Sequence, residues 1–174
     1  MSIVRKLVIP LLLTLILFIG VSPTVATGST TTRRVIREPI PLWSLTPAQC
    51  PRLTETLYGE GQVFEVINTT TYANGSVHIV DNAVKTGTAW DSTGTYHFAY
   101  HNHFEQDVPP SGAPIQAFMS DSFVLNGNGS AKHLKSGFVW RWTSNTPPGD
   151  NFPPNVASWQ VIATIGEGIA CDPI

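Results

Sequence analysis

Apolar and polar residues alternate with a period of two through most of the chain beyond residue 50, which is the signature of strands with one buried face. In Thr95–Glu105 (TYHFAYHNHFE), Tyr96, Phe98, Tyr100 and Phe104 fall on one side of an extended strand, and His97, Ala99, His101, His103 and Glu105 on the other. A strand over Ile115–Leu125 places Ile115, Ala117, Met119, Phe123 and Leu125 on one side, with Asp121 among them. The return strand sets Leu134, Phe138, Trp140 and Trp142 on that same side, with His133 and Arg141 opposite. In the last strand Ala157, Trp159, Val161, Ala163 and Ile165 alternate inward. Helical periodicity is absent outside the N-terminal segment, so the pattern predicts an all-β fold.

The turns set which residues share a face. Asn74-Gly75 reads as a two-residue hairpin turn between strands Gln62–Tyr72 and Ser76–Trp90. Counting back from it puts Phe64 beside Lys85, Val66 beside Ala83, Asn68 beside Asp81 and Thr70 beside Ile79. The turn Asp91–Gly94 pairs Trp90 with Thr95, which sets Gly87 opposite Phe98, Ala89 opposite Tyr96 and Ala83 opposite Asn102, small against large. About six long strands joined as a meander predict a single small antiparallel β-barrel, with a β-sandwich as the alternative. A small barrel either fills its interior with side chains or holds one small ligand there.

Three segments of different composition divide the chain. Arg5 and Lys6 precede an apolar run from Leu7 to Val21, and Thr24-Val25-Ala26 supplies small residues at a cleavable site, so residues 1–26 read as a signal peptide. The run contains Pro10 and falls short of the roughly 20 residues that span a bilayer, so no membrane span is expected after cleavage. Residues 27–49 (GSTTTRR, then Pro39, Pro41 and Pro47) read as a disordered Thr/Pro-rich spacer, in which Trp43 suggests docking of its end on the domain. Residues 50–174 are long enough for one domain with one core. A Pro-rich loop, TPPGDNFPPN from Thr146 to Asn155, interrupts it before the last strand.

Charge and cysteine content narrow the function. Removal of Arg5 and Lys6 leaves eight basic against twelve acidic residues, a net charge of −4, which argues on electrostatic grounds against a nucleic-acid or anionic-lipid partner. Cys50 and Cys171 are the only cysteines and bracket the domain, so in an oxidising, extracellular or cell-envelope compartment they are expected to form a disulfide. Neither has the spacing of a redox motif, no Ser lies in a nucleophile elbow, and no Gly-rich phosphate loop precedes a helix. No cofactor is expected.

Two constellations remain. His101 and His103 lie two apart on one strand and are weak candidates for a metal site, since zinc requires three or four ligands and the nearest additions would be His97, Glu105 or a more distant Glu65. The other sits on the apolar face, where register gathers Asp81, Lys85 and Asn102, and alternation adds Asp121. Buried charges are costly unless paired, so these four are either rim residues or the polar wall of a ligand cavity.

The segments CPRL, GEGQVFEVIN, GSVHI, GTAWDSTGTYHFAYHNH and DSFVLNGNG, with a Cys near the terminus, resemble a group of short secreted bacterial β-rich proteins. The resemblance covers nearly all of Cys50–Cys171 and rests on turn and core residues. It implies a shared β fold and transfers no catalytic residue. The expectation is a secreted binding module for a small molecule or a cell-surface partner. A small hydrolase or isomerase using interior Asp and Lys, or a structural envelope protein with a filled core, are the alternatives.

Overall fold

A computed structural model describes residues 28–112, 114–144 and 159–171. They form one antiparallel seven-stranded sheet in sequential order, with strands β1 (Thr30–Leu45), β2 (Leu57–Thr71), β3 (Val77–Trp90), β4 (Thr95–Val108), β5 (Ile115–Gly127), β6 (Lys135–Ser144) and β7 (Trp159–Gly166). A 3-10 turn, Gly168–Cys171, follows. Every connection joins neighbouring strands, as in the expected meander. The sheet does not close on itself: among the described residues β1 pairs only with β2, and β7 only with β6.

The sheet is nevertheless strongly curled. Adjacent strands lie about 4.8 Å apart, so in a flat sheet β1 and β4 would be separated by about 14 Å. Yet the Trp43 ring of β1 lies edge-on 5.4 Å from Phe98 of β4 and 6.2 Å from Phe123 of β5. The row Gly61–Gly87–Phe98 makes this possible, because a Cβ on Gly87 would lie 2.7 Å from the Phe98 ring. Gly59 leaves the space that the Trp43 indole fills, since a Cβ there would stand 2.2 Å from the ring. Small residues on β2 and β3 thus let aromatic ones from β1 and β4 meet across the concave side.

Two apolar clusters occupy that side. One gathers Leu45, Leu57, Ala89, Tyr96, Phe98, Tyr100, Phe123 and Leu125 with Cys50 and Cys171, and the other Ile115, Ala117, Phe138, Trp140 and Trp142. The disulfide Cys50–Cys171 forms as expected. It joins the segment after β1 to the turn after β7, so the two edges of the sheet are linked covalently at one end, where Arg52 and Glu167 also approach to 3.7 Å.

Three expectations are corrected. The segment expected as disordered spacer, 27–49, is largely β1: its Thr, Val and Ile residues favour strand, and its prolines, Pro39 and Pro41, fall on an edge strand with a register shift between Ile40 and Trp43, where the missing N–H is tolerated. The docking of Trp43 is as anticipated. The Asn74-Gly75 turn has three loop residues, not two. Tyr72 N–H donates to Ser76 O and Gly75 N–H to Tyr72 O, with Gly75 at φ +84°, the geometry of a type I turn followed by a glycine bulge. Every β2–β3 pair therefore slips by one: Phe64 faces Val84, Asn68 faces Val80, and Phe64, Val66 and Asn68 leave the concave side. Finally, β7 does not alternate inward. Val161 is 45% exposed and Ala163 is exposed, β7 being an edge strand that pairs with β6 alone among the described residues. Ala157, the signal segment 1–26 and the Thr146–Asn155 loop lie outside the described residues.

Candidate functional site

Between the two apolar clusters the concave side carries a polar band. At its centre is Ala83 of β3, 7% exposed. Its strand neighbours on the same face are Asp81 and Lys85, and its cross-strand partners are Glu65 on β2 and Asn102 on β4. Four polar side chains thus surround a methyl floor. Asp121 of β5 stands opposite Asn102, 3% exposed, and accepts a hydrogen bond from Asn102 Nδ2 at 2.5 Å. Val63, Tyr100, Phe104, Gln106 and Met119 complete the wall of a hollow of about 450 Å³, within the range of small-molecule sites.

The electrostatics of the band are set by burial. Desolvation, then hydrogen bonding and like charge from Glu65, raise the Asp81 carboxyl to about 7 against the opposing charge of Lys85. Asp81 Oδ1 is buried and accepts no hydrogen bond from the described residues. Burial also raises Asp121, against hydrogen bonds from Asn102 and Tyr100 and the charge of Lys85. The Lys85 ammonium lies over the Tyr100 ring, 4.6 Å from its centroid. The band therefore combines two neighbouring carboxyl groups, Glu65 and Asp81, a cation held on an aromatic face, and an amide-carboxyl pair behind them.

Asp81, Lys85, Asn102 and Asp121 are thus brought to one place, though by different routes. The β3–β4 register follows the Asp91–Gly94 turn as expected, and Ala83 does face Asn102. The β2 partner was misassigned: Glu65, expected on the histidine face, belongs to the hollow because of the one-residue slip. A three-residue reading, Ala73-Asn74-Gly75, would have found it.

His101 and His103 lie on the opposite, convex face. His103 contacts Asn82 Oδ1 through Nδ1 at 2.8 Å and Glu105 Oε1 through Nε2 at 3.1 Å, while His101 is exposed opposite Val84 and Ser122. Among the described residues no group of three or more His, Cys, Asp or Glu side chains is arranged to hold a metal ion. His78 Nδ1 lies 2.7 Å from Asp107 Oδ1.

A second polar cluster ties two turns together. Asp91 accepts from the Thr93 N–H, the Thr93 hydroxyl and the Gly94 N–H through Oδ1, and from the Tyr96 hydroxyl through Oδ2. The Tyr96 hydroxyl in turn accepts from Ala131 N–H at 3.1 Å. Desolvation pushes the Asp91 carboxyl up, but these hydrogen bonds together hold it below the ordinary value. This clasp fixes the β3–β4 turn to the β5–β6 connection.

No protein-family model matches the chain, and comparison with curated proteins and with solved structures returns no match either.

Proposed function

We propose that the protein is a secreted binding module that takes a small molecule into the hollow above Ala83. The curled sheet serves as an incomplete barrel in which the Cys50–Cys171 link stands in for ladder closure at one end. In this reading residues 1–26 direct export, and the chain is one of the short secreted bacterial β-rich proteins it resembles. One observation carries the proposal: charged and amide side chains from three strands converge on a small floor residue in an otherwise apolar concave wall. A structural protein would gain more from filling that space with apolar side chains, since buried charges cost stability that packing does not. The open polar hollow therefore favours binding over a purely structural role.

The test is a thermal-shift screen of a small-molecule library against the wild type and Ala83→Leu, a substitution that fills the floor without removing a charge. The proposal expects compounds that raise the midpoint of the wild type and lose that effect in Ala83→Leu, whose own midpoint stays close to the wild type. Compounds that stabilise both proteins equally would place binding elsewhere.

A further inference from the structure

The hollow holds more carboxyl groups than ammonium groups, and this bears on what it takes. Its carboxyl groups are Glu65 on β2, Asp81 on β3 and, behind Asn102, Asp121 on β5; against them stands the one ammonium of Lys85. Arg34 and Glu38 of β1 share the face further out and are exposed, opposite Ile67 and Val63. On β4 the only titratable group turned to the hollow is Tyr100. The wall already seats one cation, since Lys85 Nζ lies on the Tyr100 ring. Lys85 is drawn toward both Asp81 and Asp121, so it cannot neutralise the whole band.

Resting on the reading of the hollow as a binding site, we propose that its ligand is an organic ammonium compound whose charged head lies between Glu65 and Asp81 and whose apolar body rests on Phe104 and Met119. Two observations beyond the carboxyl pair point this way. Asp81 Oδ1 is a buried acceptor without a donor among the described residues, and an ammonium supplies up to three donors. Phe104 and Met119 are cross-strand partners beside Asp81, placing an aromatic ring and a polarisable thioether next to the head-group position. With its carboxyl raised to about 7, Asp81 is protonated below that pH, so a proton and the ammonium compete for the same carboxylate. Binding should therefore release a proton and tighten as pH rises through about 7, where Asp81 ionises.

Calorimetric titration of the folded protein with phenethylamine, phenylacetate and 2-phenylethanol, at pH 8 and pH 5.5, tests this. Phenethylamine should bind saturably at pH 8, at least tenfold more weakly at pH 5.5, and at least tenfold more weakly to Glu65→Gln/Asp81→Asn, a pair of isosteric changes that removes buried charge and leaves the hollow's shape intact. Phenylacetate should not bind. Absence of phenethylamine binding at pH 8, or binding indifferent to the double substitution, would overturn the inference. Binding of phenylacetate or 2-phenylethanol that is lost in Ala83→Leu would also overturn it, while leaving the hollow a ligand site of another chemistry.

Discussion

Asp81 carries the most distinctive chemistry of any single residue, and it has a sign that can be checked. Its carboxyl is raised from 3.8 to about 7 in the folded protein. The protonated group's stabilisation is thus fully present below about pH 4, declines as pH rises, and is lost above about pH 7. Asp81→Asn does not pay this cost of ionisation. Urea midpoints should show the variant equal to the wild type near pH 4 and more stable at pH 8 by about 1–2 kcal/mol, a value discounted because the carboxyl is partly solvated. A variant less stable at pH 8 would mean that Asp81 serves chiefly as the partner of Lys85. Tyr96, 1% exposed, gives a second test. Tyr96→Phe strands the Ala131 N–H and should cost about 1–3 kcal/mol in the same denaturation assay. Asp81, Lys85, Asn102 and Asp121 were legible in the sequence because each interrupts an apolar alternation. Glu65 was not, because its face depends on a single loop residue.

Strands β2 to β6 were readable from alternation and turns; β7 was read as a strand but with the wrong burial, and β1 was not read as a strand, for a common physical reason. Both are edges. An edge strand of a curled sheet need not bury a regular stripe, so β1 tolerates its Thr, Arg and Pro content, and β7 leaves Val161 and Ala163 exposed despite an alternation that suggested burial. The hairpin glycine sets register through its backbone: Gly75 at φ +84° should resist substitution, and Gly75→Ala is expected to lower stability by about 1–2 kcal/mol. Packing of β1 is tested at Gly59, where a Cβ would meet the Trp43 ring. Gly59→Ala should cost about 1–3 kcal/mol by overpacking, and much less when combined with Trp43→Ala. Equal costs in both backgrounds would place the indole away from Gly59.

On the scale of the whole molecule, a sheet whose edge strands β1 and β7 do not pair with each other among the described residues is held in its curl by the Trp43 contacts inside and by Cys50–Cys171 across the edges. The disulfide closes a sequence separation of 121 residues, which in the chain-entropy model restrains the unfolded state by ~5 kcal/mol, an upper figure. Thiol titration of the denatured, unreduced protein should find no reactive thiol. The same curl keeps the two apolar clusters apart and leaves the polar hollow between them. The sequence predicted closure from strand count and meander connections, but the concave space depends on glycines and Ala83 in particular rows of the sheet. The central claim is that this space holds a small molecule. Native mass spectrometry of the protein purified without denaturation, compared with Ala83→Leu, tests it most directly: a stoichiometric small molecule retained by the wild type and missing from the variant is the predicted result, and a wild type without adduct, or an adduct retained equally by both, would contradict it.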